Sequence, residues 1–194
     1  MFSPKKILVL APHTDDGELG CGGTIAKFCK ENTEVHYAAF SVCKKSLPPE
    51  FTEDTLEKEC KRAIQKLGMH TGKLMLYDFE VREFWQKRQE ILEELVSLKK
   101  YILPDLVFVP SITDIHQDHR VVHEEAVRAF KHSTILGYEL PWNQTTFSAK
   151  AFIKISKKEL NQKIEALNEY RSQAGRSYMD KDFIRSLAKV RGVQ

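Results

Sequence analysis

Two short clusters of histidine and aspartate in this sequence carry the residue types of a hydrolytic metal site. In the first cluster, His13 is followed by Asp15, Asp16 and Glu18. His13 and Asp16 are three residues apart, so a tight turn can direct an imidazole nitrogen and a carboxylate oxygen toward one divalent cation. Asp15 then stands beside the cation as a carboxylate that can take a proton from water. The alternative is a solvated acidic turn that caps a helix, where aspartate is favoured.

The second cluster is Asp114-Ile-His116-Gln-Asp118-His119. Together with the first cluster it offers a His, Asp, His ligand set, which is typical of catalytic zinc sites that keep a position open for water and substrate. We expect His119 to be the third ligand because it opens the following helix. His116 is then free to act as a protonated partner, and Asp118 can orient an imidazole by accepting its N–H. The alternative is a polar loop in which Asp118 caps that helix.

Both clusters follow strand-like apolar segments, and amphipathic stretches separate those segments. We predict strands at residues 6–11, 34–42, 73–77, 105–110 and 151–155. We predict helices at residues 24–31, 52–67, 83–101, 119–131 and 157–170. This alternation indicates an α/β fold with a mainly parallel sheet. Because the carboxyl ends of parallel strands meet at one edge of the sheet, we expect the two clusters to lie together there.

A run of glycines, Gly20, Gly22 and Gly23, follows the first cluster. Its spacing is superficially similar to a dinucleotide-binding fingerprint, but Ile25 stands where the third glycine should be, and the preceding acids would repel a pyrophosphate. We therefore exclude a nucleotide site. We expect these glycines to let the chain turn into a helix and approach neighbouring segments closely.

Composition excludes several other classes of protein. The chain of 194 residues has 30 Lys and Arg against 27 Asp and Glu, and the basic residues are scattered among acidic ones, so nucleic acid is not an expected partner. The longest apolar runs are far shorter than the roughly 20 residues of a transmembrane helix.

The N-terminus lacks the pattern of a signal peptide, and the four cysteines show no metal or disulfide spacing. We expect a cytoplasmic protein of one domain, residues 1–194, with free thiols.

At its two clusters the sequence resembles the LmbE-like, PIG-L family of zinc-dependent N-deacetylases. The stretch from Pro12 to Gly23 is similar to the first motif of the family, and the stretch from His116 to His119 is similar to the second. The resemblance implies a Rossmann-like three-layer fold with helices on both faces of the sheet. It also implies a role for each motif residue: a general base (Asp15), three zinc ligands (His13, Asp16 and His119), and a residue that stabilises the oxyanion and protonates the leaving amine (His116, assisted by Asp118).

The sequence departs from the family pattern at several positions. Thr14 stands where proline is usual, and Gly17 stands where many members have Glu. An arginine of the second helix, which faces the substrate in some members, aligns with Leu56. We therefore expect different substrate contacts, with Arg82 as a candidate replacement; the alternative is that Arg82 is a solvated loop residue.

Residues 137–143 are a second region with candidate substrate contacts, because aromatic, acidic and amide side chains suit sugar rings and hydroxyls. These candidates are Tyr138, Glu139, Trp142 and Asn143. The alternative is that Trp142 packs on the core and Pro141 turns the chain. Relatives commonly continue past the segment resembling residues 191–194 into a final strand. Either this sequence is truncated there or its sheet ends early, and an exposed sheet edge would favour a homo-oligomer.

Motifs and resemblance together predict a hydrolase that removes an N-acetyl or similar acyl group from an amino sugar or glycoconjugate. Zn²⁺ is the expected cofactor, and Fe²⁺ or Mn²⁺ are alternatives because imidazole and carboxylate ligands accept several divalent ions. An amidase of non-sugar amines and an inactive metal-binding module stay open as other functions. We also expect Asp118 to raise the pKa of His116, so that activity falls at alkaline pH as His116 deprotonates.

Overall fold

The computed structural model describes residues 3–146 and 148–194 of the chain. The prediction that the chain has no signal peptide rests partly on its two N-terminal residues, which lie outside the described residues. The described strands are β1 (Lys6–His13), β2 (Glu34–Ser41), β3 (Leu74–Leu76), β4 (Leu106–Pro110) and β5 (Thr134–Tyr138). The described α-helices are α1 (Asp16–Lys30), α2 (Thr55–Lys66), α3 (Arg88–Ile102), α4 (Gln117–Ala129), α5 (Lys157–Leu167) and α6 (Lys181–Arg191).

These five strands form one parallel sheet in the order β3-β2-β1-β4-β5. The chain runs from β1 outward to β2 and β3, and then returns to place β4 on the other side of β1. The connections that leave β1 and β4 therefore diverge, which opens a crevice at the carboxyl ends of these two strands. The predicted α/β fold with a parallel sheet is confirmed, and both histidine–aspartate clusters lie at this crevice.

Helices cover both faces of the sheet because its central strands are apolar on both sides. Along β1, Ile7 and Val9 pack on one face, with apolar residues of α1, α2 and α5. Leu8 and Leu10 pack on the opposite face, with apolar residues of α3 and α4. Successive side chains of a strand point to opposite faces, so one apolar run contributes to both cores. The result is the expected three-layer arrangement.

Residues 151–155 are not a strand, contrary to the sequence prediction. Two of their side chains pack inward instead: Ile155 fills the space beside Gly23 of α1, and Ile153 packs against the core on the same face of the sheet. The Lys27 ammonium also donates a hydrogen bond to the carbonyl oxygen of Lys154 (3.0 Å). The fifth strand is the short edge strand β5, whose apolar run is too brief to stand out in the sequence.

Helix α1 begins at Asp16, well before residue 24, where the sequence prediction begins it. The helix contains the glycine run and is interrupted at Cys21 (φ −135°, ψ 20°). A Cβ atom at Gly17 or Gly20 would collide with the ring of Tyr37 or Tyr138, respectively. The glycines therefore permit close packing, as expected, but inside a helix and not in a turn.

The remaining helix ends follow local signals. Helix α2 ends just before Gly68, which has a φ of +86°, and α3 ends before Pro104. Helix α6 has no counterpart in the sequence prediction. Within residues 3–146 and 148–194, no helix is long and apolar enough to cross a membrane. The cytoplasmic location, the single domain and the homo-oligomer stay predictions.

Candidate active site

The two histidine–aspartate clusters meet at the crevice between β1 and β4. The connection from β1 to α1 and the connection from β4 to α4 both open onto a cavity of about 260 Å³. Five motif residues line it: His13, Asp15, Asp16, His116 and His119. Both helices begin within these clusters, so their N-terminal ends bring partial positive charge to the cavity.

Three side-chain atoms converge in this cavity, and we call His13, Asp16 and His119 the floor. The Oδ2 atom of Asp16 lies 3.1 Å from His13 Nδ1 and 3.1 Å from His119 Nε2. The two nitrogens are 3.3 Å apart. Asp16 Oδ2 also accepts the backbone N–H of His13 (2.9 Å), which closes the tight turn between these two residues.

Each histidine of the floor is oriented by a further carboxylate on its other nitrogen. His13 Nε2 lies 3.0 Å from Asp118 Oδ2, and His119 Nδ1 lies 2.7 Å from Asp114 Oδ2. The outer nitrogens lie closer to these carboxylates (3.0 and 2.7 Å) than the inner nitrogens lie to Asp16 Oδ2 (3.1 Å), so a neutral ring places its proton on the outer nitrogen. The lone pairs of His13 Nδ1 and His119 Nε2 then face Asp16. Such carboxylate–histidine pairs are typical of histidines that bind a metal.

The electrostatics of the floor favour positive charge at its centre. Burial alone would raise the pKa of Asp16, but the charges of His119 and His13 hold it below its usual range. Burial alone would lower the pKa of both histidines, but Asp16 and Asp118 raise that of His13. Asp16 and Asp114 likewise raise the pKa of His119 to about 10. All three shifts act in the direction that holds a proton or a metal cation between these groups.

The donor set and the spacing of these residues fit a metal ion. Ligand atoms of His13, His116 and His119 all lie within 4.8 Å of one another, so the three histidines can hold an ion. The floor atoms are closer together, at 3.1–3.3 Å. A tetrahedral zinc ion with bonds of about 2.0–2.1 Å keeps its ligand atoms about 3.3 Å apart. The floor therefore matches the ligand spacing of a tetrahedral site.

Asp15 stands beside the floor and is available for proton transfer. It occupies the N-cap position of α1, but its side chain makes no capping hydrogen bond and lines the cavity. Burial and the charge of Asp16 raise the pKa of Asp15 to about 6. The capping alternative therefore does not describe Asp15, and a carboxylate with this pKa can exchange a proton near neutral pH.

In the second cluster, the side chains form different pairs from those that the sequence predicts. The N-cap residue of α4 is His116, whose Nδ1 accepts the backbone N–H of Asp118 (3.2 Å), so Asp118 is not the cap. The Asp118 carboxylate is engaged by His13 and by the backbone N–H of Arg82 (2.7 Å). Burial and the charges of His119 and His13 lower the pKa of His116 to about 4. The expected rise in that pKa is wrong: Asp118, whose carboxylate bonds to His13, still acts to raise the pKa of His116, but burial and the charges of His119 and His13 outweigh this effect.

A buried hydrogen-bond network anchors the loop that carries Asp15. Glu18, Tyr37 and Tyr170 are almost fully buried. Tyr170 Oη lies 2.8 Å from Glu18 Oε1 and 2.7 Å from the carbonyl oxygen of Thr14. The Tyr37 hydroxyl contacts the other Glu18 oxygen and the same Thr14 carbonyl (3.0 Å). Burial raises the pKa of Glu18 to about 8, although both phenols oppose this rise.

The substrate contacts expected from the sequence fall into two groups. Three of them line the cavity: Arg82, Trp142 and Asn143. The other two lie elsewhere. Tyr138 is buried, and its hydroxyl donates to the carbonyl oxygen of Leu10 (3.0 Å). Glu139 pairs with Arg191 at the end of α6 (2.9 Å from Nε to Oε2). Tyr138 and Glu139 are therefore not placed to contact a substrate in this cavity, because each is committed to a structural contact.

The sequence did not predict several residues of the site. Asp114 lies two residues before His116, and its proximity to the motif is a signal that points to it. Three others come from the connection between α5 and α6, where no motif marks them: Gln173, Arg176 and Tyr178. We call Arg82, Trp142, Arg176 and Tyr178 the mouth of the cavity, because these side chains are exposed or half-buried.

Comparisons with known proteins cover most of this chain. The family model PIG-L, described as GlcNAc-PI de-N-acetylase, matches residues 8–130, which contain both clusters. The "Uncharacterized deacetylase YaiS" of Escherichia coli (strain K12) is 29% identical over 175 residues, which cover 87% of this chain and 91% of that protein. The "Probable N-acetyl-alpha-D-glucosaminyl L-malate deacetylase 2" of Bacillus anthracis is 27% identical over 196 residues, covering 89% of this chain and 83% of that protein.

The fold is also shared with a solved structure. The N,N'-diacetylchitobiose deacetylase from Pyrococcus horikoshii aligns with a TM-score of 0.81 and 22% sequence identity. The alignment covers 98% of this chain and 79% of that one. At this level of identity the likeness establishes the fold and not the reaction, because one fold carries many activities.

Proposed function

Because this chain belongs to the PIG-L family, we propose that it is a metal-dependent N-deacetylase that hydrolyses the acetamide group of an amino sugar or its conjugate. The observation that carries this proposal is the floor, whose three inward-facing ligand atoms lie 3.1–3.3 Å apart beside the carboxylate of Asp15. The two curated relatives are both named as deacetylases, and one is named for a glucosaminyl malate. These names support the reaction class and a sugar-containing substrate.

The proposed metal is Zn²⁺, bound by His13, Asp16 and His119. Asp16 is preferred to His116 as the third ligand because its Oδ2 atom lies 3.1 Å from both other ligand atoms. In addition, His116 already uses its Nδ1 atom to accept a backbone N–H. When bound, the ion would polarise the acyl carbonyl and lower the pKa of a water molecule. Fe²⁺ and Mn²⁺ are alternatives for the same donor set.

Asp15 is the proposed general base. It takes a proton from the attacking water as the water oxygen bonds to the acyl carbon. It then returns this proton to the nitrogen as the C–N bond breaks, which yields a free amine and acetic acid, which ionises to acetate. Its position in the cavity and its pKa of about 6 suit both transfers.

His116 is the proposed donor to the oxyanion. Its Nδ1 atom accepts the backbone N–H of Asp118, so the neutral ring carries its proton on Nε2. That N–H can donate to the negative charge that develops on the acyl oxygen. This role needs only the neutral imidazole, whereas the role expected from the sequence needs an imidazolium.

Acetate release tests this proposal. The zinc-loaded protein is incubated with N-acetyl sugars, nucleotide sugars and glycolipids, and with N-acetyl amines that lack a sugar. We expect acetate from at least one sugar-containing substrate, loss of activity after chelation, and recovery when zinc is returned. Acetate release only from the N-acetyl amines that lack a sugar would show that the substrate is a non-sugar amide. Stoichiometric zinc without any acetate release would indicate a metal-binding module.

A further inference from the structure

Two arginines at the mouth of the cavity have no carboxylate partner among the described residues. Arg82 and Arg176 line the cavity, and within the part of the chain that the structure describes neither guanidinium lies within 4.0 Å of a carboxylate oxygen. The Arg88 guanidinium, in contrast, pairs with Glu124 and Glu125. An arginine without an ion pair at the rim of a substrate cavity can bind an anionic group of a ligand.

Arg176 is positioned by an aromatic pair. Its Nη1 atom donates a hydrogen bond to the Tyr178 hydroxyl, and its guanidinium carbon lies 5.8 Å from the centre of the Tyr178 ring. The Tyr178 ring stacks on Trp142, with 4.0 Å between ring centres and 11° between planes. A guanidinium has five N–H donors, and the contact with Tyr178 uses one of them. The guanidinium is therefore held in place with donors left for a ligand.

Hydrogen bonds hold the backbone of Arg82 in place, whereas its guanidinium group makes no such contact with the described residues. Its backbone N–H donates to Asp118 Oδ2 (2.7 Å), and its carbonyl oxygen accepts from Gln117 Nε2 (2.7 Å). Its side chain is exposed, and no hydrogen bond or ring contact to its guanidinium is present among residues 3–146 and 148–194. A ligand would have to order this side chain on binding, which costs affinity, whereas Arg176 is already positioned.

Arg176 shares the cavity with the reacting groups. Burial raises the pKa of Asp15, and the positive charge of Arg176 partly opposes this rise, so the two groups interact across the cavity. The apolar side chain of Leu56 also lines the cavity and leaves the α2 side without charge. A substrate whose acetamide reaches Asp15 can therefore place another of its groups against Arg176.

We propose that Arg176 forms an anion subsite that binds a carboxylate or phosphate group on the amine portion of the substrate. This inference rests on the deacetylase function proposed above. The planar guanidinium fork matches the oxygen atoms of both anions. The Trp142–Tyr178 pair offers aromatic surface to the ring that links the anion to the acetamide. The subsite selects acidic glycoconjugates over neutral N-acetyl sugars.

Steady-state kinetics with three matched substrates test this subsite. The zinc-loaded protein is assayed with the methyl glycoside of N-acetylglucosamine, its carboxymethyl glycoside and N-acetylglucosamine 1-phosphate. R176Q is expected to raise KM by about 10- to 100-fold for the carboxylate or the phosphate substrate, because a charge-assisted hydrogen bond is lost. The KM of the methyl glycoside should change least. Because the charge of Arg176 also acts on the pKa of Asp15, any change in kcat should be the same for all three substrates. R171Q, on the same connection but away from this cavity, is the matched control.

Binding measurements separate failure of the subsite from failure of the reaction. Titration calorimetry uses the same three glycosides and the D15N variant, with R176Q or R82Q added, so that turnover does not interfere. Tighter binding of a charged glycoside that R176Q abolishes supports the subsite. If the unmodified protein then hydrolyses none of the three, the deacetylase proposal fails for these sugars and the subsite stands. Equal binding of charged and neutral glycosides, equal losses for both in R176Q, or a loss only in R82Q would overturn the subsite.

Discussion

The histidines on the floor of the cavity are each held by a buried carboxylate, whereas the arginines at its mouth are exposed and have no carboxylate partner among the described residues. Asp114 and Asp118, which orient His119 and His13, are 2% and 0% exposed. At the mouth, the Arg176 guanidinium contacts Tyr178, and it has no carboxylate within 4.0 Å among residues 3–146 and 148–194. The floor therefore has one well-defined arrangement, and the mouth has donors left for a ligand. This difference supports the proposals that the chemical step takes place at the floor and that the mouth selects the substrate.

The two regions also differ in their origin along the chain. The floor comes from element ends next to the β1–α1 and β4–α4 connections: His13 ends β1, Asp16 begins α1, and His119 lies in the first turn of α4. The mouth is assembled from the β3–α3, β5–α5 and α5–α6 connections. Floor substitutions should therefore alter metal binding or kcat, and mouth substitutions should alter KM.

Replacement of His119 by alanine should have the largest effect. It removes one of the three floor ligands, so zinc affinity should fall by more than the roughly 10- to 100-fold that is typical for loss of an outer partner. Equilibrium dialysis against zinc measures this. H123A is the control, because His123 lies on the same helix but contacts the carbonyl oxygen of Pro110 outside the cavity. Wild-type zinc affinity in H119A would remove His119 from the ligand set.

Replacement of Asp15 by asparagine should lower kcat by about 10²- to 10⁴-fold, the usual contribution of a general base. The amide cannot take the proton of the attacking water, whereas the ligand atoms of the floor are untouched. Zinc content and unfolding by urea should match the wild-type protein. D78N is the control, because Asp78 is an exposed acid paired with Lys44. A near-normal kcat in D15N would show that another group is the base.

Replacement of Asp114 by asparagine should weaken zinc binding by about 10- to 100-fold. One carboxylate oxygen accepts from His119 Nδ1 and the other accepts the backbone N–H of His116 (2.9 Å). An amide has one acceptor oxygen and cannot satisfy both donors. Zinc titration of D114N and of E124Q, a surface change on α4, measures the effect. Equal affinities would show that Asp114 does not position the ligand histidine.

Replacement of Tyr170 by phenylalanine should have the smallest effect on the floor and act mainly on stability. It removes a hydroxyl from buried Glu18 and from the Thr14 carbonyl, so the free energy of unfolding should fall by about 1–3 kcal/mol. Urea unfolding measures this change. Y101F is the control, because Tyr101 is 76% exposed. If the two variants are equally stable, the buried network does not anchor the loop between β1 and α1.

The α/β class and the meeting of the two clusters were within reach of sequence reasoning. Apolar runs that alternate with amphipathic stretches indicate a parallel sheet, and parallel strands end at the same edge. Histidine and aspartate that follow two neighbouring strands must therefore approach one another. The sequence wrongly predicted a strand at residues 151–155 and did not predict β5. A short apolar run can pack against a helix as well as pair in a β-sheet, so its pattern alone does not identify a strand.

The partners of the floor and the composition of the mouth depended on contacts between distant segments. Asp118 lies two residues from His116 in sequence, yet its carboxylate bonds to His13, which comes from β1. Arg176 reaches the cavity because α5 packs on α1 and α2 and carries the following connection to the crevice. Spacing along the chain constrains only near neighbours, and packing of whole elements sets the rest. The sequence alone therefore indicated the metal-binding chemistry, and the tertiary structure placed Arg176 at the mouth of the cavity.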